Sequence, residues 1–163
     1  MRNMPSILIV CSANICRSPM AEAILKRLVS KRPDATQWHI ESAGTWALNG
    51  CPAAELSQYV MQSMGMDISS HQSQPVSLDL IQRFDLILTM ESNHKEGLIA
   101  EFRHDTNRIY MLSEMVGLRK DIADPIGGQM VDYEETAHLL ERMLTDGLER
   151  IYEKAVMNQK LIR

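Results

Sequence analysis

The apolar positions begin as an unbroken run, "SILIVC" from Ser6 to Cys11, and then change period. A run without polar alternation fits a strand covered on both faces. Directly after it Ala21, Ile24, Leu25, Leu28 and Val29 recur at i, i+3, i+4, i+7 and i+8. Pro19 stands in a first-turn position where its missing N–H costs nothing, so a helix is predicted from about Ser18. Trp38 and Ile40 alternate with polar neighbours as a second strand. "SAGT", Ser42 to Thr45, is expected to turn the chain into a loop holding Trp46, Gly50 and Pro52. Leu56, Tyr59, Val60 and Met64 give a second helical stripe, closed by Gly65. Phe84 to Thr89 predicts a third strand, Ser92 to Phe102 a third helix and Arg108 to Leu112 a fourth strand. Asp132, with Glu135 three residues on, predicts a capping box for a long last helix carrying Tyr133, Leu140, Leu144, Leu148 and Ile151.

Strands alternating with helices imply an α/β chain: a single doubly wound domain over residues 1–163, with a four-stranded parallel sheet and helices on both faces. No internal repeat, low-complexity tract or linker interrupts it. The longest turn-rich stretch runs from Arg119 to Val131 and contains "ADPIGG"; loops of that size in a compact domain are commonly functional.

Composition narrows the function. The chain has 163 residues, 45% of them apolar, which is enough for one good core and short for two. A formal charge of −4 argues against non-specific binding to nucleic acid or an anionic membrane, both of which rest on clustered Lys and Arg. No leader-like opening is present, and no apolar run approaches the roughly 20 residues of a membrane span, so a cytoplasmic protein is expected. Cys11, Cys16 and Cys51 are few and odd in number, which fits free thiols in a reducing compartment. C-x4-C without a second cluster is poor zinc spacing, and no metal is predicted.

In open parallel sheets, ligands sit beyond the carboxyl ends of the strands, where loops feed helix N-termini. Cys11 is predicted to lie there. The turn from Ser12 to Cys16 can point successive backbone N–H groups into one concavity, and the helix dipole adds about half a positive charge. The cradle lacks the glycines and lysine of nucleotide-binding loops. It has instead Cys11-x5-Arg17-Ser18. Arg17 can close over a phosphate with two parallel N–H bonds while the amides of Ser12, Ala13, Asn14, Ile15, Cys16, Arg17 and Ser18 bind the remaining oxygens. The same positive field suits a sulfur nucleophile, and a cysteine beneath a bound phosphoryl group is aligned for attack at phosphorus. Cys16 is expected either to pack in the loop or to form a reversible disulfide with Cys11, and Cys51 to pack. Asp121 is expected to be a solvated loop carboxylate.

"VCSANICRSPMAE" resembles the active-site loop of the low-molecular-weight protein-tyrosine-phosphatases, C-x-G-N-I-C-R-S-P. The order of "SAGT", "GMDISSH" (Gly65 to His71), "LILTM" (Leu86 to Met90) and "DP" (Asp124, Pro125) extends the resemblance along nearly the whole chain. It implies that Cys11 attacks phosphorus, that Arg17 and the loop amides match the transition-state oxygens, and that Ser18 hydrogen-bonds the Cys11 sulfur. It further implies that Asn14 holds a tight loop conformation, tied to Ser42 and His71. Asp124 swings in to protonate the leaving group and then activates water. Ile15, Trp46 and Ile126 are expected to wall the substrate. The implied ligands are a phosphorylated protein or peptide and inorganic phosphate, as product and inhibitor, with no metal or other cofactor.

Three departures stand out: Ala13 at the usual glycine, Ile126 where tyrosine-directed members often carry an aromatic ring, and Gln74 where many bacterial relatives are basic. "DPIGG" resembles the acid loop of protein-arginine-phosphatases, a branch with threonine where this chain has Ile15, so that activity is the alternative to phosphotyrosine hydrolysis. Arsenate reductases need further cysteines, and none follows Cys51. An oxyanion-binding module without turnover is the remaining reading.

Overall fold

The computed structural model describes residues 4–161. Strands β1 (Ser6–Cys11), β2 (His39–Gly44), β3 (Leu86–Thr89) and β4 (Ile109–Met111) form one parallel sheet in the order β2-β1-β3-β4. Helices α1 (Arg17–Val29), α2 (Glu55–Ser63), α3 (Leu78–Gln82), α4 (Ser92–Glu101) and α5 (Met130–Leu161) flank it. The molecule is therefore a single α/β domain with a doubly wound sheet.

All six residues of β1 are buried, and their alternation divides the core. Ile7, Ile9 and Cys11 pack with Met20, Ile24 and Leu25 of α1 and Leu140, Leu144 and Ile151 of α5. Leu8 and Val10 pack on the other face with Leu80, Ile81, Phe84, Leu98 and Phe102, in or beside α3 and α4. Each such aliphatic side chain contributes about 1.5–3 kcal/mol on burial, which explains why Ile7 to Val10 are all apolar. Period two also decides that Cys11 faces the α1 side.

From β1 the chain crosses to β2 on one side, and β3 joins β1 on the other. The C-terminal end of β1 is thus the switch point, where a crevice opens between neighbouring strand ends. Cys11 pairs with Gly44, and Val10 pairs with both Ala43 and Thr89.

The sequence-based boundaries need four corrections. Ser42, Ala43 and Gly44 of "SAGT" continue β2, because they remain paired with Ile9, Val10 and Cys11. A Cβ on Gly44 would come 2.3 Å from Ser12 O, so this close strand end requires glycine. Helix α3 escaped the hydrophobic pattern because five residues hold too little stripe; its start is set by Ser77 Oγ, which accepts from Leu80 N at 3.1 Å. Phe84 closes the turn after α3 through its N–H to Ile81 O, so β3 begins only at Leu86. Asp132 lies inside the first turn of α5 rather than capping it; its carboxylate accepts from Gln129 N at 2.7 Å.

Candidate active site

Residues Ser12 to Cys16 form the turn between β1 and α1. Asn14 takes φ 59° and is the one non-glycine residue with positive φ among those described. Ala13 therefore needs no left-handed conformation, and the missing glycine carries no backbone strain. Among the described residues, none of the backbone N–H groups from Ala13 to Ser18 donates to another protein group. Amides gathered at a helix N-terminus without internal acceptors are an anion cradle.

The turn is tied down on its outer side. Asn14 Nδ2 donates to Ser18 Oγ at 2.7 Å and to Ser42 Oγ at 2.9 Å, while Asn14 Oδ1 accepts from Gln74 N at 3.0 Å. The Gln74 amide is a donor only, so it fixes which end of the Asn14 carboxamide is oxygen. His71 Nε2 donates to Asn14 O at 2.7 Å. Gln74 also donates from Nε2 to Ser42 O at 2.9 Å, so its side chain joins the same scaffold.

Cys11 Sγ lies 2.9 Å from Ser18 Oγ, and both are buried. Asn14 holds Ser18 Oγ at this distance, and against a thiolate, which has no proton to give, the Ser18 hydroxyl is the donor. Arg17 is 1% exposed. Its Nη1 donates to Ile122 O at 2.7 Å and pairs with Glu91, and its Nη2 lies 3.3 Å from Asp124 Oδ2. Nε is buried without a partner. Nη1 is therefore anchored, Nη2 lies against Asp124 and Ser12, and Nε is the nitrogen left without a protein acceptor.

Asp124 enters from the loop before α5. Its Oδ1 accepts from Ile126 N at 3.1 Å, while Oδ2 faces Arg17. The carboxylate already stands at the cradle, so no large loop swing is needed to bring it there. Gly127 (φ 78°) and Gly128, whose Cβ would meet Asp132 Oδ2 at 2.6 Å, account for the double glycine that follows. Asp121, expected to be merely solvated, accepts from Ser92 N at 2.7 Å and satisfies an orphan amide at the start of α4.

The expected wall is divided in burial. Trp46 is 88% exposed and Ile126 54%, whereas Ile15 packs partly against the core. Trp46 N donates to Ser12 O at 2.8 Å, which holds its loop beside the cradle. Cys16 is buried, and its Sγ lies 3.7 Å from the hydroxyl of the buried Tyr133. Burial pushes the Cys16 thiol up, offset in part by that hydroxyl, with the Asp124 charge raising it further. Tyr133 is pushed up to about 12, first by burial and then by the contact with Cys16. Cys11, Cys16 and Cys51 are all free thiols, Cys51 half-buried.

Glu91 and His94 went unnoticed in the sequence. Glu91 follows the end of β3, one strand over from Cys11, where the topology rule points; no motif marked it as the partner of Arg17. His94 Nε2 lies 2.8 Å from Ser12 Oγ. Burial pushes this imidazole down, opposed by the Glu91 charge.

The family model of the low molecular weight phosphotyrosine protein phosphatases matches residues 6–157. The chain belongs to this family. Among its relatives in the low molecular weight phosphatase family is the "Probable low molecular weight protein-tyrosine-phosphatase EpsP" of Ralstonia nicotianae, 37% identical over 90% of this chain and 95% of the relative. A low molecular weight protein tyrosine phosphatase from T. tengcongensis superposes with a TM-score of 0.84 at 32% identity, covering 90% of this chain and 99% of that one. The YwlE arginine phosphatase of Geobacillus stearothermophilus gives a TM-score of 0.82 at 31% identity, covering 90% and 92%. Low molecular weight phosphatases of both substrate classes thus share this fold. Among the described residues no helix is long and apolar enough to cross a membrane, and no cluster of three or more His, Cys, Asp or Glu could hold a metal ion.

Proposed function

We propose that the protein hydrolyses phosphotyrosine in proteins or peptides through a cysteinyl-phosphate. The observation that carries the reading is the chain of contacts from Asn14 Nδ2 to Ser18 Oγ to Cys11 Sγ, with the buried Nε of Arg17 left without a partner. The phosphoryl group sits on the amides of residues 12–18 with one oxygen on Arg17 Nε and another on Nη2, where it takes the place of the Asp124 contact. Cys11 Sγ forms a bond to phosphorus as the bond to the phenolic oxygen breaks, and protonated Asp124 gives its proton to that oxygen. Water then attacks phosphorus, Asp124 takes its proton, and the S–P bond breaks to release inorganic phosphate. Ser18 stabilises the departing thiolate, while Arg17 and the amides match charge on the equatorial oxygens.

Substrate choice is argued from the wall. Ile15 offers an apolar side chain next to the cradle, and the exposed Trp46 and Ile126 offer faces against which a phenyl ring is desolvated. One observation favours phosphoarginine as a second reading. A cavity of about 370 Å³ beside Asp124 is also lined by Asp132 and Glu135, carboxylates that suit a guanidinium. Kinetics on matched phosphotyrosine and phosphoarginine peptides separate the two. A higher kcat/KM for phosphotyrosine is expected; the reverse order overturns the assignment of substrate and leaves the mechanism at phosphorus standing. The expected setting is the cytoplasm, with phosphorylated polypeptides as the only partners the reading requires.

A further inference from the structure

His94 is a buried imidazole that the reaction above does not use. Its ring nitrogens have separate duties. Nδ1 receives the backbone N–H of Glu91 at 3.2 Å, and since that group can only donate, the ring proton of the neutral form sits on Nε2. Nε2 therefore donates to Ser12 Oγ at 2.8 Å. A second donor, Arg17 Nη2, lies 3.4 Å from the same oxygen. A hydroxyl has two acceptor sites and one proton, and here both acceptor sites face donors. What remains on Ser12 Oγ is its O–H, held beside Arg17 Nη2 at the cradle.

We propose that the Ser12 hydroxyl donates a hydrogen bond to a phosphoryl oxygen during reaction, and that His94 is the positioning residue that aims it. The inference rests on the phosphatase reading and goes beyond the amide cradle, in which residue 12 acts through its backbone. No covalent bond forms or breaks at Ser12; its dipole is fixed before the reaction and meets charge that grows on the phosphoryl oxygens. The device also has a sensitivity to acid. The charges acting on His94 are those of Glu91 at the start of α4, Arg17 of α1, and Asp121 and Asp124 of the loop before α5. A proton added at Nδ1 sets two donors against each other at the Glu91 amide. The ring then loses its seat, and Ser12 its aim.

Four variants test this on an aryl phosphate: Ser12→Ala, Ser12→Thr, His94→Asn and the double Ser12→Ala/His94→Asn. Asparagine at 94 places a carboxamide oxygen near the Nδ1 position to accept from Glu91 N, but has nothing to offer at Nε2, so the helix start is kept and the aim is lost. Ser12→Ala is expected to lower kcat about tenfold with KM changed much less, and Ser12→Thr to restore most of it. His94→Asn is expected to lower kcat several-fold in the wild-type background and not at all in Ser12→Ala, since residues acting through one another are not additive. His94→Asn also removes the acid-side loss of kcat that His94 protonation produces. A Ser12→Ala enzyme with unchanged kcat, or effects of the two substitutions that multiply, overturns the proposal while the phosphatase reading stands. A wild-type protein that does not turn over an aryl phosphate overturns both.

Discussion

Asn14 Nδ2 donates to Ser18 Oγ at 2.7 Å, and Ser18 Oγ in turn lies 2.9 Å from Cys11 Sγ. One carboxamide thus holds in place the hydroxyl that contacts a sulfur it does not itself touch. The same residue holds the loop's left-handed turn, so its backbone and side-chain contributions are separable by substitution.

Asn14→Gly keeps the positive φ and loses the side chain; Asn14→Ala loses both. Alanine adds a left-handed penalty of about 1 kcal/mol to the cost common to both variants, the loss of partners for Ser42 and Gln74 N. Denaturant melts are expected to rank wild type above Gly above Ala. Both variants should lose kcat by more than about tenfold, because Ser18 is no longer held in place.

Gly44→Ala places a methyl group 2.3 Å from Ser12 O, a backbone atom of the cradle turn. Relief requires the β1 and β2 ends to part, at a cost of about 1–3 kcal/mol as for other overpacked sites. Lower thermal stability together with weaker inhibition by inorganic phosphate is the expected pair of results. An unchanged phosphate affinity would show that the strand end does not shape the cradle.

Asp124→Asn removes the proposed proton donor to the leaving group and one acidic neighbour of Arg17. Hydrolysis of aryl phosphates with basic leaving groups is expected to slow far more than that of good ones. Equal losses across the series would remove Asp124 from the acid role.

Tyr133→Phe tests the buried contact with Cys16 through alkaline stability. In the unfolded chain a tyrosine ionises near 10, and in the fold Tyr133 is pushed up to about 12. Between those values the folded state holds more protons than the unfolded one, so stability falls as pH rises. Wild type is expected to lose more stability than Tyr133→Phe between about pH 10 and 12, as read by urea midpoints. Parallel loss in both would contradict the burial of that hydroxyl.

The sheet was legible in the sequence because both faces of β1 are covered, which leaves a continuous apolar run with an abrupt change of period after it. The cradle was legible for a related reason: Cys11, Asn14, Arg17 and Ser18 act within one turn, so their spacing is itself the geometry. Glu91, His94 and Gln74 reach the site from other segments. Nothing local in "TMESNH" shows that one carboxylate grips Arg17 and one imidazole grips Ser12. Short α3 and the strand ends went astray where tertiary pairing overrode the pattern, at Gly44 above all. Asp132 was misplaced because its carboxylate serves Gln129 N in a turn, which the spacing to Glu135 alone does not reveal.

The central claim is a covalent bond between Cys11 and phosphorus. Acid quenching of the enzyme during turnover of an aryl phosphate, followed by mass spectrometry of its peptides, tests it most directly. A phosphoryl adduct is expected on Cys11, accumulating in Asp124→Asn with a good leaving group, where water is no longer activated, and absent from Cys11→Ala turnover mixtures. Sustained turnover with Cys11 replaced by alanine, or with the adduct on another residue, would contradict the claim.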